Sequence, residues 1–319
     1  MNVRRPARAV LAVSLVVGLG ACNRVSASEA AIPVIGLAVA NLQADFFNQI
    51  KQSVDAEAKR RGVKVRVADA GGDAATQINQ MQDFITRQVD AIIYIPAGAT
   101  AASVPVKAAH RAKPPIPVIA VDRNAPRAPG DTFIATDSVA AARTLGDYVI
   151  KQTGGKGNVA ILQGQLGTTP QLDRQKGFEE ALTTAPQMKV VAQRPADWSQ
   201  DKAFAVAQDM IQANRDIQVF WGQADAMALG AAQAARNANL SPFPLVVGFD
   251  GDFAGLAAVR DGKIDATMVQ QTQLMGRMAV DSALDIIDGK QVPKEQLQKA
   301  FLLTKADPEK AQEYIGNHP

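Results

Sequence analysis

Four short segments of this chain gather side chains able to grip a small polar molecule. They are Asn41-Leu42-Gln43-Ala44-Asp45-Phe46-Phe47, Val121-Asp122-Arg123-Asn124, Gly167-Thr168-Thr169-Pro170-Gln171-Leu172-Asp173-Arg174 and Gly248-Phe249-Asp250-Gly251. Each stands where an apolar run, read as a strand, gives way to a loop. Arginine offers a planar fork of donors, aspartate offers acceptors, and an aromatic ring offers a flat apolar face. Aromatics make up only 5% of the 319 residues, so Phe46, Phe47 and Trp198, beside predicted loops, stand out. Gln270, at the end of another apolar run, joins them. Each residue also has a plainer reading. Phe46 and Phe47 open a helix and could belong to the core, Asp122-Arg123 could be a surface pair, and Arg174 could be solvated. Asp250 could cap a helix from Phe253 to Arg260, and Asp225 reads as a cap or a supporting group.

Motifs for bond-breaking chemistry are missing. The two histidines, His110 within a predicted helix from Ala101 to Ala112 and His318, have no partners at metal-ligand spacing. There is no His-Glu-x-x-His, Gly-x-Ser-x-Gly or Gly-x-Gly-x-x-Gly. Gly154-Gly155-Lys156-Gly157 precedes a strand and lacks phosphate-loop spacing, so it reads as a turn. Two carboxylates from anywhere in the chain could form a glycosidase, a reading that no motif tests. No metal or cofactor is expected.

The elements that must position these residues alternate. Apolar runs fall at Val34 to Ala40, Val63 to Ala68, Ala91 to Ile95, Pro117 to Val121, Asn158 to Leu162, Lys189 to Ala192, Gln218 to Trp221, Leu245 to Phe249 and Ala266 to Gln270, with helical patterns between them. Runs of this kind are buried on both faces, and the alternation predicts parallel sheets with right-handed crossovers. The first helix, Phe46 to Arg61, stops at Gly62, and Thr168-Thr169 before Pro170 fits a helix start. So many units exceed one small sheet. Two doubly wound domains follow, with strand ends meeting at a cleft where ligands bind in such folds.

The 34 Lys and Arg against 31 Asp and Glu give a net charge of +3, but Arg4, Arg5 and Arg8 supply that excess. Apart from Lys59-Arg60-Arg61 at a helix end there is no basic cluster, so nucleic acid is not an expected partner. The three arginines precede an apolar stretch from Ala9 to Leu19 and small residues before Cys22, the layout of an export signal. Leu19-Gly20-Ala21-Cys22 resembles a lipobox, and Cys22 is the only cysteine. The expectation is a signal peptide over residues 1–21, acylation of Cys22, and a polar tether over residues 22–31.

At the four segments, together with Ala135-Thr136-Asp137-Ser138 and Ala224-Asp225-Ala226-Met227-Ala228-Leu229-Gly230, the sequence resembles the ribose-binding branch of the periplasmic sugar-binding proteins. The resemblance runs through residues 32 to 305 in order. It implies an α/β protein of periplasmic-binding-protein type I, with two doubly wound, Rossmann-like parallel-sheet domains joined by a three-segment hinge. Residues 32–135 with 271–299 would form one lobe and residues 136–270 with 300–319 the other. The lobes would close on a neutral monosaccharide or related polyol, and a monomeric, periplasmic, lipid-anchored protein would deliver it to the permease of an ABC importer. By position, Phe46, Phe47 and Trp198 would be the aromatic contacts, and Asp122, Arg123, Arg174, Asp250 and Gln270 the polar ones. Sugar C–H faces pack on rings, hydroxyls suit Arg and Asp, and two acids with two arginines balance a neutral ligand. Ala44, Ile95 and Ala224 stand where the family's ribose site has Asn, which favours a ligand with fewer hydroxyls or more bulk, with Gln43, Gln165, Gln171 and Gln223 nearby. The same fold serves repressors, but an export signal stands where their DNA-binding helices would be. A sensor docking on a chemoreceptor or histidine kinase would use the same clamshell.

Overall fold

The computed structural model describes Met1 and residues 32–317. From the N-terminal side the elements are β1 (Val34–Val39), α1 (Asp45–Arg61), β2 (Lys64–Asp69), α2 (Ala74–Thr86), β3 (Ala91–Tyr94), α3 (Ser103–Arg111), β4 (Val118–Val121) and β5 (Thr132–Thr136). Next come α4 (Ser138–Thr153), β6 (Lys156–Gln163), α5 (Thr169–Leu182), β7 (Gln187–Pro195), α6 (Gln200–Ala213) and β8 (Val219–Gly222). The chain ends with α7 (Asp225–Asn237), β9 (Leu245–Val247), α8 (Phe253–Arg260), β10 (Ala266–Val269), α9 (Thr272–Ile287), β11 (Glu295–Gln298), β12 (Phe301–Thr304) and α10 (Pro308–Asn317).

Two six-stranded sheets result, ordered β11-β5-β4-β3-β1-β2 and β12-β10-β9-β8-β6-β7. The expected strand and helix alternation thus builds two doubly wound α/β sheets. The central strands are apolar because both faces are covered, whereas the outer strands β2 and β7 carry Lys, Arg and Gln. On the first sheet Ile35, Leu37 and Val39 pack with Ile50 and Val54 of α1 and Met275 and Ala279 of α9. Ala38, Ile92 and Tyr94 face the other way, against Met81 and Phe84 of α2 and Val106 of α3. On the second sheet Val159, Ile161 and Trp221 meet α4 and α5, while Ala160, Leu162 and Phe220 meet the alanine-rich α6 and α7.

Three strands were not among the expected runs. β5 is short and begins and ends on threonine, and β11, Glu-Gln-Leu-Gln, is a polar edge strand parallel to β5. β12 pairs antiparallel with β10, so the second sheet is not wholly parallel. All three lack the long apolar signature of a central strand, and pairing alone defines them.

Helix ends follow local chemistry. Gly62 closes α1 at φ +70°, its N–H donating to the carbonyls of Ala58 and Lys59. Gly154 ends α4 in the same left-handed conformation, and the turn into β6 is confined to Gly154-Gly155, because Lys156 and Gly157, expected in the turn, already pair with Gln187 and Met188 of β7. Pro170 lies in the first turn of α5, but the Thr168 hydroxyl donates to the Gln165 carbonyl instead of capping a helix amide.

Candidate functional site

Parallel strands with helical crossovers all release their loops at one edge, and here the loops of both sheets enclose one cavity of about 830 Å³. From the first sheet, the loop after β1 and the opening turn of α1 supply Phe46 and Phe47, and the loop after β4 supplies Asp122 and Arg123. From the second, α5 supplies Arg174, the loop after β7 supplies Trp198, and the loop after β9 supplies Asp250. Seven of the eight sequence-selected residues therefore line one space. The eighth, Gln270, is buried behind Asp250: its Nε2 donates to Asp250 Oδ1 at 2.9 Å, and its Oε1 accepts from Thr136 Oγ1 at 2.6 Å.

The aromatic and cationic groups interleave. Phe46 and Phe47 meet edge to face at 5.4 Å, and both also belong to the core beneath, so the apolar and the site readings coexist. The Arg123 guanidinium lies 5.3 Å from the Phe47 ring and 5.5 Å from Trp198, while Arg174 lies 5.5 Å from Trp198 and 3.9 Å from Phe249. Trp198 is thus a plank touching an arginine from each sheet.

Each arginine has a carboxylate. Arg123 Nε stands 3.4 Å from Asp122 Oδ2 and its Nη1 donates to the Pro96 carbonyl, whereas Arg174 Nη1 donates to Asp250 Oδ1 at 3.0 Å and to the Gln223 carbonyl. Arg174 Nε and Trp198 Nε1 are buried donors without a hydrogen-bond acceptor in the structure. Burial dominates the titration of this group. It pushes Asp250 up to about 7 against the pull of Arg174, with Asp252 and Asp122 adding to the rise. Burial also raises Asp122, against the pull of Arg123 and Arg174, and lowers Arg123, against the pull of Asp122. Asp225 is pushed well up by burial and by Asp252 and Asp250.

Backbone strain concentrates at the same place. Asp122, Asp197, Trp198 and Asp250 all have positive φ, and only Gln88 and Asn239 share that trait among the described non-glycine residues. Contacts also bridge loops of the two sheets. Asn124 N donates to Thr169 Oγ1 at 3.0 Å, and Phe253 N donates to Asp45 Oδ2 at 3.0 Å.

The periplasmic binding protein domain family matches residues 35–291. The ribose import binding protein RbsB of Escherichia coli is 35% identical over 92% of this chain and 95% of its own. A solute-binding protein of an ABC transporter from Bacillus halodurans, solved with bound myo-inositol, superposes with a TM-score of 0.81 at 27% identity, over 89% of this chain and 97% of the other. The fructose-binding periplasmic domain of a hybrid two-component system gives 0.83 at 28%, over 89% and 94%.

The chain belongs to the periplasmic sugar-binding proteins, in the ribose-binding branch.

Membership explains the missing catalytic motifs: relatives in this family are solute-binding proteins, not enzymes, and the family implies a periplasmic location. Among the described residues no group of three His, Cys, Asp or Glu side chains could hold a metal. His110 instead pairs with Asp131, its Nε2 3.0 Å from Oδ2, away from the cavity residues. The α8 cap is Asp252, which accepts from Gly255 N, not Asp250. Asp225, fully buried at the start of α7, accepts from Thr267 Oγ1 at 2.6 Å and Gly251 N at 2.8 Å, so it supports the turn that follows Asp250.

Of the positions where the family's ribose site has Asn, Ala44 and Ala224 line the cavity and Ile95 is core. Gln43 and Gln165 line the cavity too, but Gln171 and Gln223 spend their amides on Gly167, Gly164 and neighbouring backbone. Sequence reasoning passed over Asp45 and Asp252, which also line the cavity. Asp45 stood inside a highlighted segment, and an aspartate immediately before Phe253, where a helix is predicted to begin, is a helix-start signal. Cys22 and His318 lie outside the described residues.

Proposed function

We propose that this protein captures a neutral monosaccharide or related polyol between two lobes and delivers it to the permease of an ABC importer, while a lipid on Cys22 holds it at the membrane. The lobes we assign are residues 32–135 with 271–299 and residues 136–270 with 300–319. In support, β1 to β5 and β11 form one sheet, β6 to β10 and β12 the other, and the chain passes between them near Thr136, Gln270 and Lys299. One observation carries the ligand reading: Phe46 and Phe47 on one side and Trp198 on the other border a space that also holds two arginines, each beside its own aspartate. Rings provide C–H packing, the pairs provide hydroxyl partners, and the charges already cancel, so an anionic ligand would leave a net buried charge. Of the further cavity acids, Asp45 and Asp252 accept from Phe253 N and Gly255 N, and Asp197 pairs with Lys202. The signal and anchor reading rests on the arginines, the apolar stretch and Leu19-Gly20-Ala21-Cys22.

Thermal-shift and calorimetric titration of the full-length protein with D-ribose, D-fructose, myo-inositol and a sugar phosphate tests this. A neutral sugar or polyol should bind, and preferential binding of the phosphate would overturn the reading. A sensory role is the second reading, favoured by the likeness to the fructose-binding domain of a hybrid two-component system. Loss of uptake on gene deletion supports transport, whereas intact uptake with a lost transcriptional or chemotactic response supports sensing.

A further inference from the structure

Gly164 follows β6 directly, and its φ is not in the left-handed region, so its backbone conformation does not call for glycine. Space does. A methyl group on Gly164 would overlap Cη2, Cζ2 and Cζ3 of Trp198, meaning that the indole lies flat on the Gly164 backbone. The neighbouring residue fixes the other end of the arrangement. Gln163 O accepts from Ala196 N at 2.7 Å and from Asp197 N at 3.2 Å, which ties the loop after β7 to the end of β6. That loop then reaches Trp198 through two consecutive left-handed residues, Asp197 at φ +52° and Trp198 at φ +64°. A pair of non-glycine residues held there is strained and persists only when its surroundings determine it. Gly164 N in turn donates to Gln223 Oε1 at 2.9 Å, so the glycine cannot slide away from the ring.

We infer that Gly164 is a positioning residue for ligand binding: by lacking a side chain it sets the plane of the Trp198 indole between Arg123 and Arg174, and so fixes the shape of the aromatic wall. This rests on the proposed role of the cavity in binding ligand. It adds a residue that does not itself line the cavity.

The test exploits the two tryptophans of the chain, Trp198 and Trp221. Trp221 is fully buried and stacks on Phe178 at 3.9 Å, so Trp221→Phe leaves Trp198 as the reporter. In that background Gly164→Ala should shift Trp198 emission and change its quenching by acrylamide. It should also weaken the sugar that binds among D-ribose, D-fructose and myo-inositol by about tenfold or more, the scale of one forced methyl in a packed site. Adding Trp198→Phe, a smaller ring, should relieve the overlap. The double variant should then bind within about threefold of Trp198→Phe alone, the non-additivity of touching residues.

Unchanged emission and affinity in Gly164→Ala, or additive losses in the double variant, would overturn the inference. If Gly164→Ala fails to fold, a folded and binding double variant still supports it, and a double variant that also fails to fold overturns it. Should Trp198→Ala and Arg174→Ala bind sugar as the parent does, or no sugar bind at all, the ligand reading fails instead. The emission measurement then judges the Gly164 placement alone.

Discussion

Arg174 is the buried cation that the second sheet sends into the cavity. It is 3% exposed, holds Asp250 and packs on Phe249. Arg174→Ala would leave Asp250 buried without its cation, and sugar affinity should fall by about 2–4 kcal/mol in calorimetry. Asp250 makes a second prediction. Its carboxyl titrates at about 7 in the folded protein against an ordinary 3.8, so the folded state holds a proton that the unfolded state releases between those values. Stability without ligand should therefore decline as pH rises from about 4 to about 7. A sugar hydroxyl donating to Asp250 favours the ionised form, so affinity should rise across pH 7. The groups facing Asp250 are Arg174, Asp122, Arg123, Asp225 and Asp252, and burial raises the three other aspartates as well. Asp250→Asn should consequently flatten the affinity profile and only reduce the slope of stability, as read by titration calorimetry and thermal unfolding from pH 5 to about 8.

Among the elements, α1 shows how one helix serves both core and cavity. Its first turn brings Phe46 and Phe47 to the cavity, Ile50 and Val54 face the sheet, and Gly62 closes it. The 17-residue helix is about 25 Å long, so its two ends can be perturbed separately. Gly62→Ala forces a Cβ into the left-handed region and should cost about 1–2 kcal/mol of stability in thermal or denaturant unfolding. Sugar affinity should stay unchanged, and a matching loss of affinity would show that the two ends are coupled. The loops carry the opposite lesson. Positive φ at Asp122, Asp197, Trp198 and Asp250 means that the cavity walls are held by the helices and strands around them, not by local preference.

For the whole molecule, the two sheets are joined near Thr136, Gln270 and Lys299, and the hydrogen bonds from Thr136 to Gln270 to Asp250 run from those crossings to the cavity. Asn124 to Thr169 and Phe253 to Asp45 add bridges between loops of the two sheets. On the proposed reading, binding between these halves would couple ligand contact to closure, and a lipid tether ahead of residue 32 would contribute nothing to it. Cys22→Ser should release the protein from the membrane fraction while leaving its calorimetric affinity for sugar unchanged. Retention of the variant in membranes, or release of the parent without detergent, would count against the lipid anchor.

The alternation of apolar runs and helical patterns, Gly62 as a helix stop and a turn at Gly154-Gly155 were legible in the sequence, because burial on both faces and backbone sterics act over a few residues. The grouping of Phe46, Phe47, Asp122, Arg123, Arg174, Trp198 and Asp250 was legible for a related reason: a parallel α/β sheet sends every loop at its strand ends to one edge. Tertiary structure alone decided the rest. Glu-Gln-Leu-Gln becomes β11 only because β5 offers a free edge, and β12 runs antiparallel only because the chain returns to β10 from the first sheet. Gln270 stands behind Asp250 and Trp198 lies on Gly164 because their partners are 20 and 34 residues distant in sequence. Those distances, angles and desolvations come into being when the chain closes on itself, and no local pattern encodes them.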